Sequence, residues 1–340
     1  GRYMNWEEVK KQAREKLKGY CRVCPVCDGR ACAGEVPGMG GLGTGEAFKV
    51  NLQALRRYRL RMRALHEVKN PATGMDIWGQ SLDMPIMAAP MTGTTYNMGG
   101  RVSEQEFADY IISGSVNSGS LGFYGDGADP AMFDSGIAAI KNHQGRGVPI
   151  IKPRAQEEIV KRIRSAEQAG AKAVGVDIDG AGLVTMALKG QAVGPKDTRE
   201  LKELVQSTDL PFVLKGVMSV EDALSALEAG VSAIVVSNHG GRVLDHTPGT
   251  AEVLPEISQL VRDRMTVFAD GGIRSGSDVL KFLALGADAV LVGRPLITGA
   301  FGGGSEGVGL VLDKYCQELL QAMLLTGVSD VSDVPPSILD

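Results

Sequence analysis

The sequence predicts an α/β fold, a (β/α)8 TIM barrel with an N-terminal helical and cysteine-rich extension, and three observations carry that expectation. From residue 85 onward, eight short apolar runs alternate with helix-like stretches, the pattern of parallel strands joined by helical crossovers. Stretches beginning at Gln168, Glu228 and Leu285 repeat one motif, a helix stop at glycine followed by a buried strand. Their markers Gly170, Gly230 and Gly286 stand 60 and 56 residues apart, two units each at the roughly 30 residues per unit of a barrel of about 250 residues. Polar side chains also gather just past the ends of the apolar runs, where such barrels keep their chemistry. A doubly wound open sheet is the alternative, and no Gly-x-Gly-x-x-Gly following an early strand supports it.

The expected division is an N-terminal extension over 1–84, a barrel over 85–325 and a tail over 326–340. Residues 5–19 read as an amphipathic helix with Trp6, Val9, Ala13 and Leu17 near one face. Four cysteines follow, Cys21-x2-Cys24-x2-Cys27-x4-Cys32, and then a glycine-rich segment, 37–43. A second helix is expected over about 45–60, with the basic run Arg56–Arg59 as a solvated face. The strand expectations are Pro85–Ala89, Ser115–Leu121, Val148–Lys152, Ala173–Ile178, Pro211–Lys215, Ala233–Val236, Thr266–Ala269 and Ala289–Val292.

Composition narrows the function. A net charge of −4 argues against a nucleic-acid surface. No apolar run has the length of a membrane span and no signal pattern opens the chain, so no membrane partner and a cytoplasmic location are expected.

The chemistry-bearing residues fall at the predicted strand ends. His239 and Arg242 flank a Gly-Gly pair after the sixth run: a group that exchanges protons near neutral pH beside a planar fork suited to a carboxylate. Asp179, two strands away, is positioned to orient the imidazole, and Asp177 precedes it. Lys215 ends the fifth run, aimed at the barrel mouth as a buried cation; Lys152 ends the third. Asp270-Gly271-Gly272 with Arg274, and Gly293-Arg294, each precede a helix and read as a phosphate cradle after strands seven and eight. His66, His143 and His246 read as structural or surface residues. The cysteine cluster has three readings: an iron–sulfur or zinc site, local disulfides or redox-active thiols, and inert thiols.

The motif Ser237–Asp245, together with Ala269–Arg274, Gly293–Pro295, Met84–Pro90 and Lys215-Gly216, resembles the FMN-dependent 2-hydroxy acid oxidase/dehydrogenase family, which includes glycolate and lactate oxidases. The resemblance runs from about residue 38 to 310. It implies FMN at the barrel mouth, a small-molecule carboxylate substrate, an electron acceptor of unspecified kind and a homo-oligomer, a tetramer or larger. By the same resemblance His239 is the base, Asp179 its carboxylate partner, Arg242 the anchor for the substrate carboxylate and Lys215 the cation at the N1/O2 edge of the flavin. Gly272, Arg274, Gly293 and Arg294 then hold the FMN phosphate. Ala89, Pro90 and Met91 lie along the isoalloxazine, and Lys152, Asp177, Ser237, Asp270 and Gly271 complete the cofactor site.

This chain departs from the family in four places. The family's Gln-x-Tyr on the third strand is matched by Gly147-Val148-Pro149. Its threonine on the fourth strand is replaced by Asp177. A second carboxylate-binding arginine is absent where the chain reads Gly180-Ala181-Gly182-Leu183, and for the substrate-side tyrosine of the N-terminal segment Tyr20 is a candidate. The four cysteines have no counterpart in the common members. Two other readings therefore stay open: a flavin-dependent isomerase or dehydrogenase of the type 2 isopentenyl diphosphate isomerase kind, and a non-catalytic flavin-binding sensor.

Overall fold

The computed structural model describes residues 4–340, so the first three residues of the expected extension lie outside the described chain. A short antiparallel hairpin, β1 (Met75–Ile77) and β2 (Gln80–Leu82), precedes eight strands. These are β3 (Ile86–Ala88), β4 (Gly122–Tyr124), β5 (Gly147–Ile151), β6 (Val174–Asp177), β7 (Phe212–Val217), β8 (Ala233–Val236), β9 (Thr266–Ala269) and β10 (Ala289–Val292). All eight pair in parallel with their sequence neighbours, and β10 returns to β3 to close the barrel. Closure leaves no free edge.

Seven of the eight expected strands are found, with ends shifted by at most two residues. The exception is Ser115–Leu121. Ser115 and Val116 belong instead to the helix Glu104–Asn117, and the strand starts at Gly122. That helix opens with a reciprocal cap between Ser103 and Glu106 and buries Phe107, Ala108, Ile111, Ile112 and Ser115 at helical spacing. Ser115 turns its hydroxyl back to Ile111 O at 2.7 Å, satisfying a polar group that a strand would have had to pair elsewhere.

Alternation along the strands splits the apolar residues into two layers. Ile86, Ala88, Val174, Val176, Leu214, Ile234 and Val236 face the surrounding helices, whereas Met87, Phe123, Val148, Val213, Val235, Phe268 and Leu291 fill the barrel. The hairpin β1–β2 adds Trp78 to that inner layer, its ring centroid 5.8 Å from Phe268 and 6.2 Å from Phe123. The sequence reading had no strand there.

The extension is tied to the barrel on two sides. The helix Trp6–Lys16, capped by Asn5, packs on the helical run Arg294–Leu324, which breaks at Gly304. A Cβ on Gly302 would stand 2.0 Å from Val9 O, so the close approach of the two helices requires the glycine. The helix Glu46–Arg56 buries Phe48, Asn51, Leu52 and Leu55, while Arg56, Arg57 and Arg59 are exposed as expected. The tail does not hang free: Leu60 bridges Leu339, Ala72 bridges Asp330, and Val328, Val331, Val334 and Ile338 are buried. Among the described residues, no helix is long and apolar enough to cross a membrane.

Candidate active site

The segment after β8 is held in an uncommon backbone shape. His239, Gly240 and Gly241 have φ of +59°, +62° and +78°, left-handed values that cost a non-glycine residue free energy unless its surroundings enforce them. Asn238, almost fully buried, supplies that enforcement. It exchanges two amide hydrogen bonds with Asn51 at 2.9 and 3.1 Å, donates to Ala47 O and Thr247 Oγ1, and accepts from Gly241 N. A Cβ on Gly241 would lie 2.3 Å from Phe48 N. The loop is thereby pressed onto the N-terminal half of the helix Glu46–Arg56. Asn238 and Asn51 are the residues the sequence reading missed; the only signal was their type, a short amide in a loop motif and another on a helix's buried face.

His239 is thus fixed at the barrel mouth. Its Nδ1 lies 3.0 Å from Asp179 Oδ1 and 3.9 Å from Asp177 Oδ2. With Asp179 ionised, Nδ1 carries the proton and donates, leaving Nε2 with its lone pair free. Burial lowers the imidazole pKa, and Asp179 opposes that shift without cancelling it. Burial also pushes the Asp179 carboxyl upward, but His239, Lys215 and Lys152 together bring it below its usual range. The net result is a neutral imidazole beside a carboxylate.

Asp177, the departure on the fourth strand, is not an uncompensated charge. It forms a buried ion pair with Lys152. Burial raises its pKa and Lys152 leads the groups that pull it back. Next along the chain, Arg154 binds Asp126 through Nε and Nη2 at 2.8 and 3.0 Å, and Lys152 N donates to the same carboxylate. Arg154, polar like Lys152 and two residues beyond it, is turned inward with it. On the other wall Lys215, buried, lies 3.8 Å from Asp270 and 3.4 Å from Ser237 Oγ. Burial depresses its pKa, but Asp270, Asp179 and Asp177 raise it above the ordinary value, so the ammonium is retained. Ser237 Oγ also accepts from His239 N.

These side chains surround one cavity of about 160 Å³. Ala89, Pro90, Met91, Lys152, Lys215, His239, Arg242, Asp270, Gly271, Gly272, Gly293, Arg274 and Arg294 all line it. Asp177, Asp179 and Ser237 stand behind this lining. Tyr20 is not part of it, whereas Tyr96 and Asn97 are. His66 bonds Leu324 O, His143 pairs with Asp109 and exposed His246 with Asp245, all outside the cavity.

Three guanidiniums meet in this lining without a counter-charge. Arg242 donates to Gly40 O and Asn97 Oδ1, Arg294 to the carbonyls of Met39, Gly40 and Gly240, and Arg274 to those of Cys27 and Ile273. Among the described residues, no carboxylate lies within 4.0 Å of any of the three. Burial pushes Arg242 down to about 10 and Arg294 to about 9, with Arg242 adding repulsion to Arg294. Arg294 also lies over the Phe48 ring, 3.7 Å from its centroid. Buried cations normally come with partners; here the place of the anion is open.

The four cysteines converge elsewhere. They line a second cavity of about 320 Å³, together with Arg274, Arg294, Gly272 and Met39, which also bound the first. Burial drives the Cys21 thiol up to about 11 and raises Cys32 as well. All five cysteines are free, and Cys316 stands apart beside Thr73.

Comparison with known proteins agrees with this arrangement. The chain is 33% identical over 330 residues to the peroxisomal (S)-2-hydroxyacid oxidase GLO3 of Arabidopsis thaliana, covering 87% of this chain and 88% of that one. It is 31% identical over 324 residues to the L-lactate oxidase of Lactobacillus jensenii, covering 84% and 76%. A crystal structure of mandelate oxidase with (S)-2-phenylpropionate superposes with a TM-score of 0.78 at 29% identity, over 100% of this chain and 98% of that one. The family model for FMN-dependent dehydrogenase matches residues 38–191 and 184–340. With that match spanning most of the chain, this protein belongs to the FMN-dependent dehydrogenase family.

Proposed function

We propose that this protein oxidises a 2-hydroxy acid to the 2-oxo acid, with FMN bound in the barrel mouth. The residues present fit FMN. Arg274 and Arg294, free of carboxylates, suit a phosphate next to the Gly271-Gly272 backbone. A Cβ built on Gly293 would meet nothing closer than Met91 Sδ at 3.8 Å, so the space above the glycine is open to a ligand. Asp270 Oδ1 is buried without a hydrogen-bond partner, an acceptor that awaits a donor. When bound, FMN supplies a two-electron acceptor.

The residues of this chain do the rest. Arg242 binds the substrate carboxylate and so presents the hydroxyl-bearing carbon to the cavity. His239 Nε2 takes the proton that an alcohol loses as it becomes a carbonyl, and Asp179 stabilises the imidazolium formed. Lys215 holds positive charge in the cavity lining, where an electron-rich ring is best accommodated. Lys152 neutralises Asp177, which keeps a second carboxylate near His239 from repelling the substrate.

The observation that carries this reading is the pairing of a neutral, carboxylate-oriented imidazole with an unpartnered arginine in one cavity. An isomerase acting on a diphosphate has no use for that pair, and a sensor has no use for the base. The test is anaerobic titration of the FMN-loaded protein with small and aromatic 2-hydroxy acids, followed by flavin absorbance. Bleaching by at least one acid, lost in His239→Gln with flavin retained, is expected. Flavin that no 2-hydroxy acid bleaches refutes the proposal.

A further inference from the structure

The four-cysteine loop is used by none of this chemistry, and its geometry goes beyond it. From the cavity that all four cysteines share, we propose that Cys21, Cys24, Cys27 and Cys32 ligate a cuboidal four-iron iron–sulfur cluster at the phosphate end of the flavin site.

Four features support it. First, the loop is built to turn: Val23, between Cys21 and Cys24, and Gly29, between Cys27 and Cys32, have φ of +49° and +84°, and Gly34 just past Cys32 has +82°. Gly29 is obligatory, since a Cβ there would meet the Phe48 ring at 2.5 Å. Second, sulfur-directed donors are already in place. Val23 N lies 3.4 Å from Cys21 Sγ, and Arg274 Nη2 lies 3.6 Å from Cys27 Sγ. Donors aimed at thiolate sulfur tune and stabilise iron–sulfur centres. Third, Arg274 and Arg294 wall both cavities, so the cations proposed to face the FMN phosphate also face the thiolates and favour their ionised, metal-binding form. Fourth, Pro25 and Val26 at the loop tip are exposed, so the second cavity lies between the flavin site and the surface.

Sulfur spacing counts against a single zinc ion. One zinc holds its four sulfurs at about 2.3 Å, hence about 3.8 Å from one another. Among the described residues, the one group of three or more ligand-type side chains whose ligand atoms all lie within 4.8 Å is Asp177, Asp179 and His239. No three cysteine sulfurs are that close. A cuboidal cluster binds each thiolate to a different iron and needs the wider spread.

The test is iron, zinc and acid-labile sulfide analysis of the full chain purified without oxygen. A parallel sample is treated with ferrous iron, sulfide and thiol before desalting. Equal iron and sulfide at about four per chain, with a paramagnetic signal after dithionite reduction, is the expected result. The Cys24→Ser/Cys27→Ser protein should lose iron and sulfide together and keep FMN; Cys316→Ser should keep all three. Zinc without sulfide overturns the proposal, as does a wild-type protein that neither contains nor takes up iron, whether its thiols are free or oxidised. The wild-type analysis decides even if the double variant fails to fold. Flavin bleaching by 2-hydroxy acids is scored separately, so loss of either proposal leaves the other standing.

Discussion

Asp179→Asn isolates the electrostatic part of the proposed proton transfer. Asparagine keeps the size of the side chain and an oxygen that accepts from His239 Nδ1, so the ring stays oriented while the charge is removed. At 3.0 Å and an effective dielectric of 20, a full imidazolium–carboxylate attraction is about 5.5 kcal/mol. With about half the proton transferred in the transition state, about 2.8 kcal/mol of stabilisation is lost, close to a 100-fold slower flavin reduction. Because Asp179 raises the histidine pKa, its removal also moves the acidic limb of the rate profile to lower pH. The assay is anaerobic stopped-flow reduction of bound FMN across pH. Asp177→Asn is the contrast: it strips Lys152 of its buried partner, so its main effect is on folding, about 3–5 kcal/mol of stability by chemical denaturation. An Asp179→Asn rate within about threefold of the parent would refute the reasoning, since a general base contributes on the order of 100-fold or more.

Other outcomes follow from the same geometry. Since burial holds His239 below its ordinary value of 6.5, the base form persists to lower pH: flavin reduction should be flat near neutrality and fall only below that value, and an acidic limb centred above pH 7 contradicts it. Arg242→Met should raise KM about 10- to 150-fold, the loss of roughly 1.5–3 kcal/mol of charge-assisted binding, while FMN stays bound; an unchanged KM would assign the carboxylate to another residue. Gly241→Ala forces a side chain into left-handed backbone against Phe48 N and should cost at least about 1–3 kcal/mol by thermal or denaturant unfolding. A variant as stable as the parent would mean that the loop is not pressed onto the helix.

The barrel was legible because its signal is local. β8, β9 and β10 are short β-branched runs ended by glycine and polar residues, and the structure keeps those boundaries unchanged. Ser115–Leu121 misled because Ser115 and Val116 are compatible with either period, and what decides between them is the cap at Ser103, twelve residues upstream of the strand expected there. The hairpin β1–β2 was invisible for a different reason: three-residue strands have no periodicity, and Trp78 is explained only by Phe123 and Phe268, far along the chain. In the site, His239, Asp179 and Lys215 could be placed from strand ends alone. The pairing of Lys152 with Asp177, and of Arg154 with Asp126, could not, because sequence places cations at a strand end without telling which way they turn.

Charge balance ties the site together. Lys152, Lys215, Arg242, Arg274 and Arg294 bring five positive charges to the cavity, against the carboxylates of Asp177, Asp179 and Asp270. Two of the lysines are spoken for, Lys152 by Asp177 and Lys215 by Asp270, and Asp179 is committed to His239. The excess therefore falls on the three arginines, and these are the groups that donate to backbone carbonyls and an amide instead of carboxylates. On the proposed reading, a phosphomonoester at Arg274 and Arg294 and a carboxylate at Arg242 would supply negative charge there. Bulk solvent screens exposed cations but does little for partly buried ones, so FMN and substrate should each bind more tightly because the other neutralises part of this field. If Arg242 holds the substrate carboxylate as proposed, losing the 2-oxo acid restores the repulsion between Arg242 and Arg294, so that repulsion opposes product release unless another anion takes its place.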